Sequence, residues 1–135
     1  MIILLGYTFS YYSGIVCGIL MLLLFSYPLR KYLKIFRGVG HMKYWFLVHV
    51  ILGLLTPLSV LIHTQLMIGS INGAFAFYSM LLVVTSGIIG RFILRHLGKG
   101  RIWTELFSYW HIAHVPILYV MAFAVILHIV AVHMY

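Results

Sequence analysis

One uncharged stretch limits the folds open to this chain more than any other feature. Tyr44 to His63, with the sequence YWFLVHVILGLLTPLSVLIH, is a run of twenty residues without a formal charge. At a rise of about 1.5 Å per residue, such a run crosses the hydrocarbon core of a bilayer as a single helix. It contains His49 and His63. Ionisable side chains inside a spanning helix are functional candidates, because burying them there is costly.

The two histidines of this stretch lie fourteen residues apart, and the same spacing recurs between His114 and His128. At about 100° per residue, two residues at this spacing leave a helix on nearly the same face, roughly 21 Å apart along its axis. Each of the two stretches is therefore expected to present one imidazole near each side of the membrane.

The composition excludes an ordinary soluble domain. Of 135 residues, 64% are hydrophobic and only 7% are charged, whereas a soluble domain carries about 25% charge. The length allows three or four spanning helices with little chain outside the membrane. We predict one all-α integral membrane domain over residues 1–135. It is expected to be a four-helix bundle with spans at about 7–27, 44–63, 75–94 and 106–134.

The positions of the basic residues predict the orientation. The net charge is +8, and all nine Lys and Arg residues fall within 30–43 and 91–101. Cytoplasmic loops of membrane proteins are enriched in Lys and Arg. We therefore expect both basic segments in the cytoplasm and both termini outside, in a bacterial or archaeal cytoplasmic membrane. Because these basic residues are confined to two loops, they do not predict a nucleic-acid partner, which requires a basic patch on one face.

The histidine pattern predicts two haems. Spans two and four run in the same direction, because one helix separates them, so His49 is expected to share a depth with His114, and His63 with His128. Two facing imidazoles and an apolar slot are the minimum requirement of a non-covalent b-type haem, whereas zinc requires three or four converging ligands. We predict two bis-histidine b haems between helices 2 and 4. The absence of CxxCH excludes c-type attachment.

His111 is the alternative to His114 as a ligand. His111 and His128 are seventeen residues apart, about 20° out of line on a helix, so the face argument accepts either residue. Depth favours His114, because seventeen residues rise roughly 25 Å and do not match the spacing on the other helix.

Three further residues are candidates for haem contacts. Gly53 lies one turn beyond His49, where a missing side chain would let a porphyrin approach the backbone. Arg91 and Arg95 lie one turn apart at the end of span three and are candidate partners of haem propionates. They would also help to set the topology. The segment SGIIG, Ser86 to Gly90, contains three small residues and is expected to pack on either a helix or a haem.

A quinone site is predicted on the cytoplasmic side. Quinone redox chemistry moves protons and needs donors or acceptors beside a haem edge. His111 and Glu105, which is the only carboxylate side chain of the chain, would supply them. Glu105 also suits the first turn of span four, where the helix dipole favours an acid. An extracytoplasmic redox protein is expected to dock over His63 and His128.

With these four histidines on two co-directional helices, the sequence resembles the di-haem b-type cytochromes of membrane respiratory chains. These include the cytochrome b of quinol-oxidising complexes and ferric-reductase-like membrane domains. The segment WHIAHVP, from Trp110 to Pro116, is similar to parts of small respiratory cytochrome b subunits. The resemblance covers spans two to four. The chain lacks the flavin and nicotinamide sites of a complete ferric reductase and the PEWY-like quinol-site motif of bc-type cytochromes.

This resemblance implies a transmembrane electron-transfer subunit that passes electrons between a quinone pool and a redox partner. It would work within a membrane oxidoreductase complex rather than as an enzyme alone. Two other functions fit the same residues. One is a non-redox membrane anchor or assembly subunit whose histidines bind helices together, and the other is a transporter or proton channel with a histidine relay.

Overall fold

A computed structural model describes residues 2–67, 69–94, 96 and 99–134, and within these residues the chain forms helices without any strand. The α-helices are α1 (Ile2–Leu24), α2 (Ser26–Tyr32), α3 (Met42–Thr64), α4 (Ile71–Ile88) and α5 (Arg101–Met134). A short 3-10 helix, Lys34–Phe36, follows α2, and a π-helical segment, Ile89–Leu94, continues α4.

Four helical stretches are long and apolar enough to cross a membrane. They are Thr8–Tyr32, Met42–Thr64, Ile71–Phe92 and Arg101–Met134. Many of their large apolar side chains are exposed within the protein, such as Leu22 at 73%, as expected for side chains that face lipid. The prediction of an all-helical chain with four apolar spans is therefore confirmed, and the fold is consistent with an integral membrane protein.

The first span continues past Pro28 because a new helix begins there. Pro28 is the third residue of α2, within the first turn, where a backbone N–H has no acceptor inside the helix and its absence costs little. α3 likewise runs through Pro57 as one helix. The fourth span starts at Arg101, so part of the predicted basic loop is helical.

The chain divides into two compact units, Met1–Met67 and Ile68–Tyr135. In the first, α1 packs antiparallel to α3, and its buried residues include Cys17, Met21 and Val60. In the second, α4 packs antiparallel to α5 around Met80 and Ala124. Each unit is thus a helical hairpin whose second helix carries one of the two histidine pairs.

A buried arginine organises the first basic loop. Arg30 is 7% exposed, and its Nε donates to the Val39 carbonyl at 3.0 Å. Its Nη2 donates to the carbonyls of Arg37 and Gly40. The indole Nε1 of Trp45 donates to the same Val39 carbonyl at 2.9 Å. Arg30 therefore holds the loop together in addition to contributing positive charge.

Candidate functional site

His63 contacts α1 at a point where that helix has no side chain. The Nδ1 of His63 lies 2.9 Å from the carbonyl oxygen of Ser10 and 3.2 Å from the hydroxyl of Ser13. A Cβ added to Gly14 would lie 2.9 Å from Cε1 of the same ring. The small residues of α1 thus let the half-buried imidazole of His63 reach the α1 backbone.

His49 is held at the other end of α1. Its Nδ1 lies 3.0 Å from the carbonyl oxygen of Leu24, and its ring centroid lies 5.2 Å from that of Tyr27. The residue four positions after Leu24 is Pro28, which has no N–H. Pro28 therefore cannot bond this carbonyl as the next turn of a helix would, and the imidazole of His49 supplies a donor in its place.

His114 is held by α4 within the second unit. Its Nδ1 lies 2.6 Å from the hydroxyl oxygen of Ser86, and its Cε1 would lie 3.5 Å from a Cβ at Gly87. The indole of Trp110, one turn earlier on α5, stacks on the imidazole with ring centroids 5.3 Å apart and planes at 28°. The small segment Ser86 to Gly90 therefore packs on side chains of α5.

His128 lies against the beginning of α4. Its Cε1 would be 3.5 Å and its Nδ1 3.7 Å from a Cβ at Gly73. This turn is capped by Ser70, whose hydroxyl accepts from the Gly73 backbone N–H at 3.0 Å. A helix start fixed by a serine cap thus forms the surface that the imidazole of His128 contacts.

The backbone acceptors define the proton position on two of these rings. A carbonyl oxygen only accepts hydrogen bonds, so Nδ1 is the protonated nitrogen of His49 and of His63. In a neutral imidazole the lone pair then resides on Nε2. This is the tautomer that a histidine needs in order to bind a metal through Nε2, with its other nitrogen oriented by a carbonyl or a hydroxyl.

The remaining histidines have different surroundings. His133 is exposed, and its Nδ1 bonds the carbonyl of Ile129 in its own helix at 2.8 Å. His41 and His96 are exposed. His111 is half-buried, with its ring centroid 6.2 Å from that of Trp110. His114 differs from these four in its known contact with α4, a hydrogen bond to the hydroxyl of Ser86.

Three other residues, Gly53, Arg91 and Arg95, were predicted to contact a haem. A Cβ at Gly53 would meet only the Leu24 side chain, at 3.9 Å, so space is present beside the α3 backbone one turn from His49. Arg91 is half-buried within the π-helical segment. Arg95 lies outside the described residues.

The two residues of the predicted quinone site both lie on α5. Glu105 accepts from Arg101 Nε at 3.1 Å in an exposed i, i+4 ion pair. Glu105 and His111 are six positions apart, which places them on different faces of α5, roughly 120° apart at about 100° per residue. The structure therefore shows a partner of Glu105 that the sequence analysis did not predict, namely Arg101.

The sequence alone did not identify the groups that form hydrogen bonds with the imidazoles. They are the carbonyls of Ser10 and Leu24 and the hydroxyl of Ser86. A spacing signal for them exists, since Ser10 and Leu24 are fourteen residues apart, as are Gly73 and Gly87. In an antiparallel hairpin, equal spacing on both helices brings both ends into contact.

The donor set fits a bis-histidine group. Within residues 2–67, 69–94, 96 and 99–134, no three His, Cys, Asp or Glu side chains lie together as a metal-binding group. A bis-histidine haem takes two protein ligands, and imidazoles protonated on Nδ1 match that chemistry.

No protein-family model, curated protein or solved structure matches the chain significantly.

Proposed function

We propose that this protein is a di-haem membrane cytochrome b that transfers electrons across the bilayer. His49, His63, His114 and His128 would hold the two haems. The observation that carries the proposal is that each unit places two half-buried histidines, fourteen residues apart, against its own neighbouring helix. Haem iron supplies one-electron redox chemistry, and the chain supplies oriented ligands in an apolar environment.

The two units contribute to this function in the same way. In each, the first helix provides backbone, hydroxyl or glycine positions that orient the imidazoles of the second helix. Orientation through Nδ1 fixes the tautomer and makes the ring a stronger donor through Nε2. The proposed pairing of His49 with His114, and of His63 with His128, rests on their equal spacing along helices expected to be co-directional.

A membrane anchor is the second candidate function, and the same hydrogen bonds favour it. Histidines that bond carbonyls or hydroxyls on a neighbouring helix stabilise helix packing in a membrane. In an anchor, these bonds alone would explain His49, His63 and His114. A redox cofactor explains in addition why the fourteen-residue spacing occurs twice.

A spectrum and a haem count distinguish the two functions. Purified protein should show a b-type reduced-minus-oxidised spectrum, and acid-acetone should extract its haem. A pyridine haemochrome assay should give two haems for each chain. Ala substitution of His49 or His63 should remove one haem, whereas His133→Ala, which alters an exposed histidine of α5, should leave two. Absence of haem in the unaltered protein, expressed with haem supplied, would refute the proposed function.

A further inference from the structure

Ser86 links two side chains of α5. Its hydroxyl lies 2.6 Å from Nδ1 of His114, and its backbone carbonyl accepts from Nε1 of Trp110 at 2.6 Å. His114 and Trp110 are themselves stacked. One serine of α4 therefore fixes both the candidate ligand and the aromatic ring that covers it.

The hydroxyl oxygen of Ser86 lies within hydrogen-bond distance of two groups, the Nδ1 of His114 and, at 2.8 Å, the carbonyl oxygen of Val83. If His114 binds iron through Nε2, its Nδ1 carries the hydrogen. Ser86 would then accept from Nδ1–H and donate its own hydrogen to the Val83 carbonyl, and His114 would have the same tautomer as His49 and His63. The acceptor differs, however, because a serine hydroxyl can be removed by substitution, whereas a backbone carbonyl cannot.

The position of Trp110 depends on the lack of a side chain at Gly90 as well as on its hydrogen bond to Ser86. The six-membered part of its indole occupies the place that a Cβ of Gly90 would fill. Gly90 lies in the π-helical segment Ile89–Leu94, and such wide turns within α-helices occur frequently at functional sites. The wide turn and the glycine together give the indole room beside α4.

We propose that Ser86 is a positioning residue that tunes the haem bound by His114. This inference rests on the proposed function. Accepting from Nδ1–H increases the electron density on the imidazole and makes it a stronger donor through Nε2. A stronger imidazole donor would favour the ferric state and lower the midpoint potential of a haem held by His114. Trp110 limits rotation of the ring, so that the hydrogen bond keeps its direction.

The test is redox titration of single-residue variants of the full chain. Ser86→Ala removes the acceptor and should raise the midpoint potential of one haem while the other is unchanged. Ser86→Thr keeps the hydroxyl and should retain the original value. Ser79→Ala is the matched control. Ser79 is also on α4, and its hydroxyl donates to the Ala76 carbonyl of the same helix at 2.9 Å.

A second variant covers the case in which Ser86→Ala does not accumulate. Ser86→Cys has a similar shape and a weaker acceptor, and it should shift the same haem in the same direction by a smaller amount. Haem should also dissociate from Ser86→Ala roughly tenfold faster, in line with the usual effect of removing a group that orients a metal ligand.

The outcomes separate this inference from the proposed function. Two haems with unchanged potentials in both Ser86→Ala and Ser86→Cys would overturn the role of Ser86 and leave the proposed function intact. An equal shift in Ser79→Ala would also overturn it, because the effect would then reflect packing of α4. An unaltered protein without haem would overturn both.

Discussion

Glycine lies opposite three of the four candidate ligands. Gly14, Gly87 and Gly73 contact the rings of His63, His114 and His128, respectively. In each case a Cβ would lie within 3.5 Å of Cε1, which is at or below normal van der Waals contact. The lack of a side chain on the first helix of each unit therefore permits the approach of an imidazole from the second.

Gly14 offers a sharp test because α1 also contains Gly18. A Cβ at Gly14 would lie 2.9 Å from Cε1 of His63, whereas a Cβ at Gly18 has nothing within 4 Å. Both changes to alanine raise helix propensity similarly. We expect Gly14→Ala to displace His63 and reduce the haem count from two towards one per chain, as measured by pyridine haemochrome. Gly18→Ala should retain two, and equal haem content in the two variants would contradict the contact.

The choice between His114 and His111 can be tested in the same assay. His114→Ala removes the imidazole that Ser86 orients, so one haem should be lost. His111→Ala alters a half-buried histidine one turn away and should leave both haems with their absorption maxima unchanged. Loss of haem in His111→Ala together with retention in His114→Ala would reverse the assignment.

Features of the candidate site that lie within one helix could be predicted from the sequence, whereas contacts between the two helices of a hairpin could not. Uncharged length predicts the four spans, and the fourteen-residue repeat predicts that each pair of histidines shares a face. The partner atoms depend on the register between helices, which a single helix pattern does not contain. The carbonyl of Leu24 is an example. Its role depends on Pro28 four residues later and on His49 of α3, so only the packed hairpin reveals it.

The loop between α2 and α3 could not be predicted in this form either. Basic residues near a span are expected to remain in water and set topology. Arg30 is instead buried, because three carbonyls of the returning chain surround its guanidinium. The planar guanidinium can donate in several directions at once, which the ammonium of lysine cannot do with the same geometry.

Arg30→Lys should therefore loosen this loop while preserving its charge. A hydrogen bond to a charged group contributes about 1.5–3 kcal/mol, so loss of one would raise the population of an opened loop roughly tenfold to 100-fold. Trypsin cleavage at Lys34 and Arg37 in inside-out vesicles should accelerate accordingly. Lys31→Arg, a change at an exposed neighbour, is the control. Similar cleavage rates in all three proteins would show that Arg30 does not brace the loop.

At the scale of the whole chain, the two units repeat one construction. Each has an apolar first helix, a connecting segment, and a second helix with histidines fourteen residues apart. The connections within the units differ in charge from the segment that joins the units. Residues 30–43 carry five basic side chains in the first unit, and the connection in the second unit, after Ile89–Leu94, is also basic. The neutral segment 64–74 joins the units.

This charge distribution predicts the orientation of the protein in its membrane. Both basic connections should be cytoplasmic and the neutral segment extracytoplasmic, because Lys and Arg near spans are retained inside. Single cysteines at Lys34, Lys99 and Ser70 can be introduced into a Cys17→Ala background, which removes the only native thiol. A membrane-impermeant maleimide added to intact cells should label the Ser70 position, and the other two only after the membrane is opened. The opposite pattern would invert the topology, and with it the depth assigned to every histidine.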